Sequence, residues 1–477
     1  MMLSTITLVL LASAAMPVQQ APATVPAITR PRPTPLPVRV DPSVSAIRDK
    51  ALRDDVAYDI TEGLTTEIGP RPPGGSEAQA RARDWSVAKL KSLGFRNVRI
   101  EPYTLPQAWE RGIETGEVVA PYPQPLRLAA LGNSGATPAG GLTAPVMYFA
   151  SLNDLLLAPE GSLRGKIAFV SNVMERTQDG SSYGQAGSAR FVGPNVAARK
   201  GAVAIVIRSI GTDQGRGPHT GGTNFDPGVM PIPAAALSIA DSANLERMLK
   251  RSRTVTLKLV LTPRFVGARR SGNVIAEVPG TDRNAGVVLV GGHLDSWEHG
   301  TGAIDDASGL GITAAAAKLV MDAGRPRRTI RVVWFGDEEI GGFGGREYAA
   351  AHKDERHATA TESDFGADRV WRFETNLPGT AKAVGDRLAV ALQPLGITRG
   401  TGQAGDGTDI GPLFRNGVAA IDLNQSGLDY FDYHHTPEDT LERVDPAALR
   451  QNVAAYATML QIVANASEDI GSVTPRP

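Results

Sequence analysis

The stretch from Gly291 to Gly309, GGHLDSWEHGTGAIDDASG, gathers two histidines, one glutamate and three aspartates directly after the apolar run VVLV at Val287 to Val290. Further along, Glu338 and Glu339 follow VVWFGD, Asp364 lies in ESDFG, and His435 lies in HHTPEDT. Imidazole nitrogens and carboxylate oxygens are the ligands a borderline divalent ion takes when no thiolate is at hand, and one site needs about three or four of them. The chain has no cysteine. Disulfides, thiol nucleophiles and thiolate ligands are therefore excluded together, and any bound metal must rest on His, Asp and Glu. Each cluster alone carries little weight, because an isolated His beside Asp is usually a surface pair and adjacent glutamates a solvated face. Grouped at strand exits of one domain, they point to a metal centre. At a strand end neighbouring side chains point opposite ways, so Glu338 and Glu339 cannot both face one ion. One can bind metal while the other holds a water, which places a general base beside an activated nucleophile for hydrolysis.

What must position these groups is a set of strands. NVIAEVPG from Asn273 and GVVLVGG from Gly286 read as buried strands. SGLGITAAAAKLVMDAG from Ser308 reads as a helix closed by Gly324 and Pro326, and RTIRVVWFGDEE from Arg328 as another strand. Strand, helix, strand at this spacing is a crossover between parallel strands, and in such sheets ligands gather beyond the carboxyl ends. A last strand over Val418 to Leu423 leads into YFDYHHTPEDT, and a helix from Pro446 to Ala466 closes the domain. Upstream, helical spacing runs from Asp49 to Ile68, breaks at GPRPPGG, and resumes from Ser76 to Leu93 with Gly94 as its cap.

The middle of the chain has another texture. Short β-like runs (Val146 to Ala150, Lys166 to Ser171, Val203 to Ile207, Thr254 to Leu261) alternate with turn-rich stretches and one helix-like segment, Val196 to Lys200. No catalytic constellation is visible there, and the lone His219, in GRGPHTGGTNFDPG, is expected to be an exposed loop residue. Residues 107–263 read as an inserted non-catalytic domain, with 43–106 and 264–468 forming the catalytic one and 469–477 a tail. The 477 residues carry 49 basic and 50 acidic side chains, so no global field would gather nucleic acid or an anionic membrane. Six of the seven histidines lie beyond residue 292, which makes their clustering informative. At the start, MMLSTITLVLLASAAMP has an apolar run from Leu8 to Ala12 and a small-x-small site at Ala12 to Ala14. The run is shorter than the roughly 20 residues a membrane span needs. Residues 1–22 are therefore expected to be a signal peptide directing the chain to the periplasm or outside the cell, and the proline-rich 23–42 an extended leader.

Taken together, GGHLDSW with AIDDASG, WFGDEEIGGFGGREY, ESDFG and YFDYHHTPEDT resemble the co-catalytic zinc exopeptidases of the aminopeptidase and glutamate carboxypeptidase family. GPRPPGG and the helix after it extend the resemblance, and the middle region is similar to a protease-associated domain, with GKIAFV, ARKGAVAIVI and IPAAALS in order. The resemblance implies an α/β, phosphorylase/hydrolase-like three-layer sandwich around a mixed, largely parallel sheet. It implies two zinc ions per chain, short peptide substrates and a homodimer. By motif, Asp305 would bridge the ions, His293 and Asp364 would complete one site, Glu339 and His435 the other, and Glu338 would be the base. Asp295 and Asp439 would orient the ligand imidazoles, and His434 would be an oxyanion donor or a structural ring. The Asp305 to Asp306 peptide would be cis. His299, His352 and His357 are left to surface or packing roles.

Two other functions compete. A cyclotransferase acting on N-terminal glutamine uses the same scaffold with one zinc, and receptor-like binding modules keep the fold without catalysis. All five ligand positions are filled and Glu338 is present, which favours hydrolysis. Asp406 and Asp409 in GDGTDIG, with Asp429 and Asp432 near His435, are expected to leave a surplus of negative charge, Arg415 being the nearest cation. Such a surplus favours a substrate's free α-amine over its carboxylate.

Overall fold

Strict alternation along the central strands sorts their side chains into two apolar layers. Val288, Val290, Val332 and Trp334 join one cluster, while Leu289, Val333 and Phe335 join the other. The chain is described by a computed structural model covering residues 38–475, less Arg253 and Asp406. The expected signal peptide, most of the leader and Asp406 lie outside the described residues. A strand that feeds two cores must be apolar on both faces, and this is why VVLV and RVVWF show no polar interruption save Arg331. That residue is buried, and its guanidinium is taken up by Glu277 and Glu355.

The first sheet has eight strands. Val287–His293 lies between Thr329–Phe335 and His357–Glu362, and Ala419–Gln425 continues beyond, all four parallel. Antiparallel strands flank them, Val370–Asn376 on one side, Arg264–Val278 and Arg96–Glu110 on the other, and the short Thr398–Arg399 completes the sheet. The expected mixed, largely parallel sheet is thus present. One face is covered by the helices Ser308–Ala323 and Pro446–Asn465 together with Pro42–Ala51 and Val56–Gly63, the other by Phe343–Ala351 and Gly411–Arg415. Glu77–Ser92 begins at Ser76, whose hydroxyl accepts from the N–H of Gln79, and ends before Gly94 at φ 92°.

Residues between the two long outer strands build a second sheet, also of eight strands. It is reached through short links: Glu110 pairs with Arg264 in the first sheet and, four residues on, Glu114 pairs with Leu261 in the second. The helices Ser182–Phe191 and Ile239–Arg251 belong to this part; nothing in the turn-rich sequence marked them. Among the described residues no helix is long and apolar enough to cross a membrane.

The break GPRPPGG proves to be a plug. Arg71 is fully buried, and its guanidinium donates to the carbonyls of Leu294, Gly69, Thr301 and Gly302 at 2.7–3.1 Å. Three of these carbonyls belong to the loop between His293 and Asp305. Four bonds at about 1 kcal/mol each, with the carbonyls left unpaired on truncation, set the scale. Arg71→Met is expected to lower unfolding stability by about 4 kcal/mol in a urea titration; a loss under about 1 kcal/mol would show that the loop holds itself.

Candidate metal centre

Two imidazoles are held in similar ways. His293 ends its strand with Nδ1 2.9 Å from the backbone carbonyl of Asp295. A carbonyl can only accept, so a proton sits on Nδ1 and Nε2 is turned inward. Nε2 faces Asp305 Oδ1 at 2.9 Å and Asp364 Oδ1 at 3.4 Å. His435 is similar but not identical: Nδ1 lies 3.2 Å from the Thr220 carbonyl and 3.4 Å from Arg190 Nη1, and Nε2 faces Glu339 Oε2 at 3.0 Å and Asp305 Oδ2 at 3.2 Å. Asp305 thus offers one oxygen to each ring.

Without a metal these pairs are proton-bridged; with one, the same inward-facing nitrogen and oxygen atoms would give their lone pairs to a cation. Asp305 Oδ2 and Glu339 Oε1 are buried without a hydrogen-bond partner. Burial pulls the imidazoles down, but the carboxylates facing them more than offset it: Asp364, Asp295 and Asp305 hold His293, and Glu339 and Asp305 hold His435, well above the ordinary histidine range. Burial raises the carboxyls of Glu338, Glu339 and Asp364, whereas at Asp305 the two rings overcome burial and hold it well below the usual range. His293 with Asp305 and Glu339, His293 with Asp306 and Asp364, and Asp305 with His434 and His435 each bring ligand atoms close enough to hold an ion. The donor set fits a divalent metal taken by nitrogen and oxygen.

The backbone around these ligands is tied down by further carboxylates. The Asp305–Asp306 peptide is cis. Asp306 accepts from the N–H groups of His293 and Gly309 at 3.0 and 3.1 Å. Only glycine fits at position 292, since a Cβ there would come within 2.2 Å of Asp306 Oδ2. Asp295 and Asp439 do not orient rings through their carboxylates. Asp295 Oδ1 is 3.7 Å from His293 Nδ1, and its oxygens instead accept from the N–H groups of Glu338 and Glu339 at 3.1 and 3.2 Å. Asp439 Oδ1 accepts from Ala303 and Ile304, both at 2.8 Å, just before Asp305. The adjacent glutamates are not on a strand: Thr329–Phe335 ends earlier, and Asp337, at φ 59°, turns the chain. Glu339 is pinned by Trp297 Nε1 at 2.6 Å, and Glu338 lines the cavity.

The cavity in front of the ligands measures about 250 Å³. Tyr183, Arg190, Phe191 and Gly222, all from the second-sheet region, share its wall with Phe365 and Tyr430. The region read as bystander therefore reaches the site. His219 is buried, contrary to its expected exposure: Nδ1 donates to the His434 carbonyl, and Nε2 meets Asp213 Oδ1 at 2.8 Å. His434 lines the cavity and stacks on His435 with ring centroids 3.6 Å apart; burial, reinforced by His435, pushes its pKa well below the ordinary range, so it is a neutral ring. Asp429 and Asp432 are not free charges, because both pair with Arg176. Asp409 is fully buried, and burial with Glu362 and Glu338 nearby raises its pKa well above the usual range. His299 pairs with Glu114, and His352 and His357 belong to a separate polar cluster around Tyr348.

Residues 273–460 match the sequence model of peptidase family M28. Carboxypeptidase Q of Bos taurus is 33% identical over 415 residues, 86% of this chain and 86% of that protein. The chain belongs to peptidase family M28. It is therefore a hydrolase, a metallopeptidase. A crystal structure of a peptidase M28 precursor from Shewanella amazonensis SB2B is 46% identical, with a TM-score of 0.88 and 91% of this chain and 98% of that one covered. The fold is also shared with BSAP, a zinc aminopeptidase from Bacillus subtilis, at 20% identity and a TM-score of 0.63 over 88% of this chain and 97% of that one.

In this M28 chain Asp295 holds both glutamate N–H groups at once. Asp295→Ala is expected to cost about 10–100-fold in kcat/KM, the range typical of groups that hold metal ligands. Steady-state kinetics check it; a change under about threefold would mean the turn keeps its shape unaided.

Proposed function

We propose that the chain is an exported di-zinc exopeptidase that cleaves dipeptides and short peptides, with Glu338 as general base. The observation that carries it is the placement of Asp305, one oxygen toward each of two imidazoles whose Nδ1 atoms face backbone carbonyls. His293, Asp305 and Asp364 would hold one zinc ion, and His435, Asp305 and Glu339 the other. When bound, zinc supplies the positive charge that polarises the scissile carbonyl and makes water a stronger acid. Glu338 lines the cavity with its pKa raised by burial, which suits a carboxylate that takes a proton from the attacking water and passes it to the leaving amine. Export rests on the N-terminal sequence, and the second-sheet region is read as a protease-associated domain.

Recognition of a free amine is supported by different residues from those first expected. A cleft of about 240 Å³ shares Asp364, Phe365 and Thr408 with the cavity and is lined by Asp179, Glu362 and Asp422. Arg190, on the cavity wall, has its Nη groups engaged by the Thr220 carbonyl, His435 Nδ1 and the Tyr183 hydroxyl. Burial pushes Glu362 up to about 8 and raises Asp364; an incoming ammonium group would draw such carboxyls into their charged form, which suits it to this cleft.

Elemental measurement on the purified protein is expected to find two zinc ions per chain. Glu338→Gln should keep both and lose well over tenfold in turnover, more than about 1.4 kcal/mol, whereas Glu339→Gln should release one. A Glu338→Gln enzyme within tenfold of the parent would remove Glu338 as base.

For substrate polarity, one dipeptide is assayed free, N-acetylated and C-amidated. Acetylation should abolish turnover and amidation should cost less; the reverse order would make the chain a carboxypeptidase.

A further inference from the structure

We propose that His219 and Thr220, from the region inserted between the two outer strands, are positioning residues that set the backbone and ring of His435. This rests on the reading of His435 as a zinc ligand.

His435 has φ 62°, a left-handed conformation that a residue with a Cβ adopts at a cost of about 1–2 kcal/mol. Something must hold it there. The two peptide planes that meet at its Cα are each gripped by the insert. The plane before it carries the His434 carbonyl, which accepts from His219 Nδ1 at 2.8 Å. The plane after it carries the His435 carbonyl, which accepts from the N–H of Thr220 at 3.1 Å. Fixing both planes fixes φ and ψ. The Thr220 carbonyl, itself held by Arg190 Nη1 at 3.1 Å, lies 3.2 Å from Nδ1, with Arg190 Nη1 3.4 Å from the same nitrogen, and Nε2 faces Asp305 and Glu339.

The grip is itself built. His219 has a fully buried side chain with Nε2 on Asp213 Oδ1 at 2.8 Å, and its backbone N–H donates to Ser209 Oγ at 2.8 Å. The ring packs against Gly211 so closely that a Cβ there would sit 2.2 Å from it. Thr212 extends the same hold one turn upstream, its N–H on the Phe431 carbonyl at 3.0 Å and its hydroxyl on Asp432 Oδ1 at 2.6 Å. A buried imidazole with a partner on each nitrogen is a costly way to pack a loop. Here it spends one nitrogen on the peptide that carries the ligand.

The test uses the full chain and reads zinc affinity by competition with a chelator, alongside kcat, KM and unfolding midpoint. His219→Asn places an amide N–H where Nδ1 stood, while His219→Gln reaches only the Nε2 position. His219→Gln and His219→Ala are expected to weaken one zinc site by about 10–100-fold and to lower kcat with KM nearly unchanged. His219→Asn should restore affinity to within about threefold of the parent. Equal zinc affinities for the Asn and Gln variants would overturn the assignment, and this comparison decides even if His219→Ala does not fold. His435→Ala is run beside them: retention of two zinc ions there would sink the ligand reading itself, whereas loss of one ion with an unperturbed His219→Gln would sink only the positioning role.

Discussion

The carboxylate of Asp305 sits between two imidazole nitrogens, and the surrounding structure is organised to keep it there. Each imidazole turns Nδ1 to a backbone carbonyl, of Asp295 or of Thr220, and Nε2 to Asp305. Buried like charges at this range repel by several kcal/mol even with generous screening. A fold that nonetheless buries Asp305, Glu338 and Glu339 together must resist that repulsion elsewhere until cations arrive. Asp306, Asp295 and Asp439 do so by tying the backbone that carries each ligand, and Arg71 fills the loop between His293 and Asp305. Stability is spent to keep the geometry formed in advance.

Much of this was legible in the sequence, because the ligand-type residues stand at the ends of apolar strands and the period of two survives in VVLV and RVVWF. The structure does bring His293, Asp305, Glu339, Asp364 and His435 together. The strand His357–Glu362 was not picked out: HATATE has no apolar run, its alternation is only of Ala with Thr, and parallel neighbours on both sides take its backbone. The backbone bonds of Asp295 and Asp439 were not foreseen, for a local reason. A carboxylate two or four residues from a histidine invites pairing with the ring, but the nearer need was the unpaired N–H groups of the turn at Glu338 and of the residues before Asp305.

His219 escaped for the opposite reason. Its partner, the His434 carbonyl, is 215 residues away in sequence, and glycines on both sides made it look like a loop tip. The helix Ser182–Phe191, which brings Tyr183 and Arg190 to the cavity, has small and polar residues on most of its faces. Its position depends on contacts with the aromatic residues around Phe431, Tyr183 stacking on Phe431 with centroids 4.9 Å apart. Long-range contacts of this kind leave no local period to read.

The two outer strands of the first sheet lead on into the second. Arg96–Glu110 leads to Glu114–Ala120 and Thr256–Leu261 leads to Arg264–Val278, two antiparallel ladders joined by links of only three and two residues. The added region is therefore grafted as an overgrown hairpin rather than tethered as a bead. In evolutionary terms such a graft can lengthen, shorten or exchange its far loops without disturbing the ladder at its base. Tyr183, Arg190, Phe191 and Gly222 of the added region reach the cavity wall, while most of the candidate ligands lie on the first sheet and its loops. Selection can then vary what the enzyme cuts at one end of the hairpin and conserve how it cuts at the other.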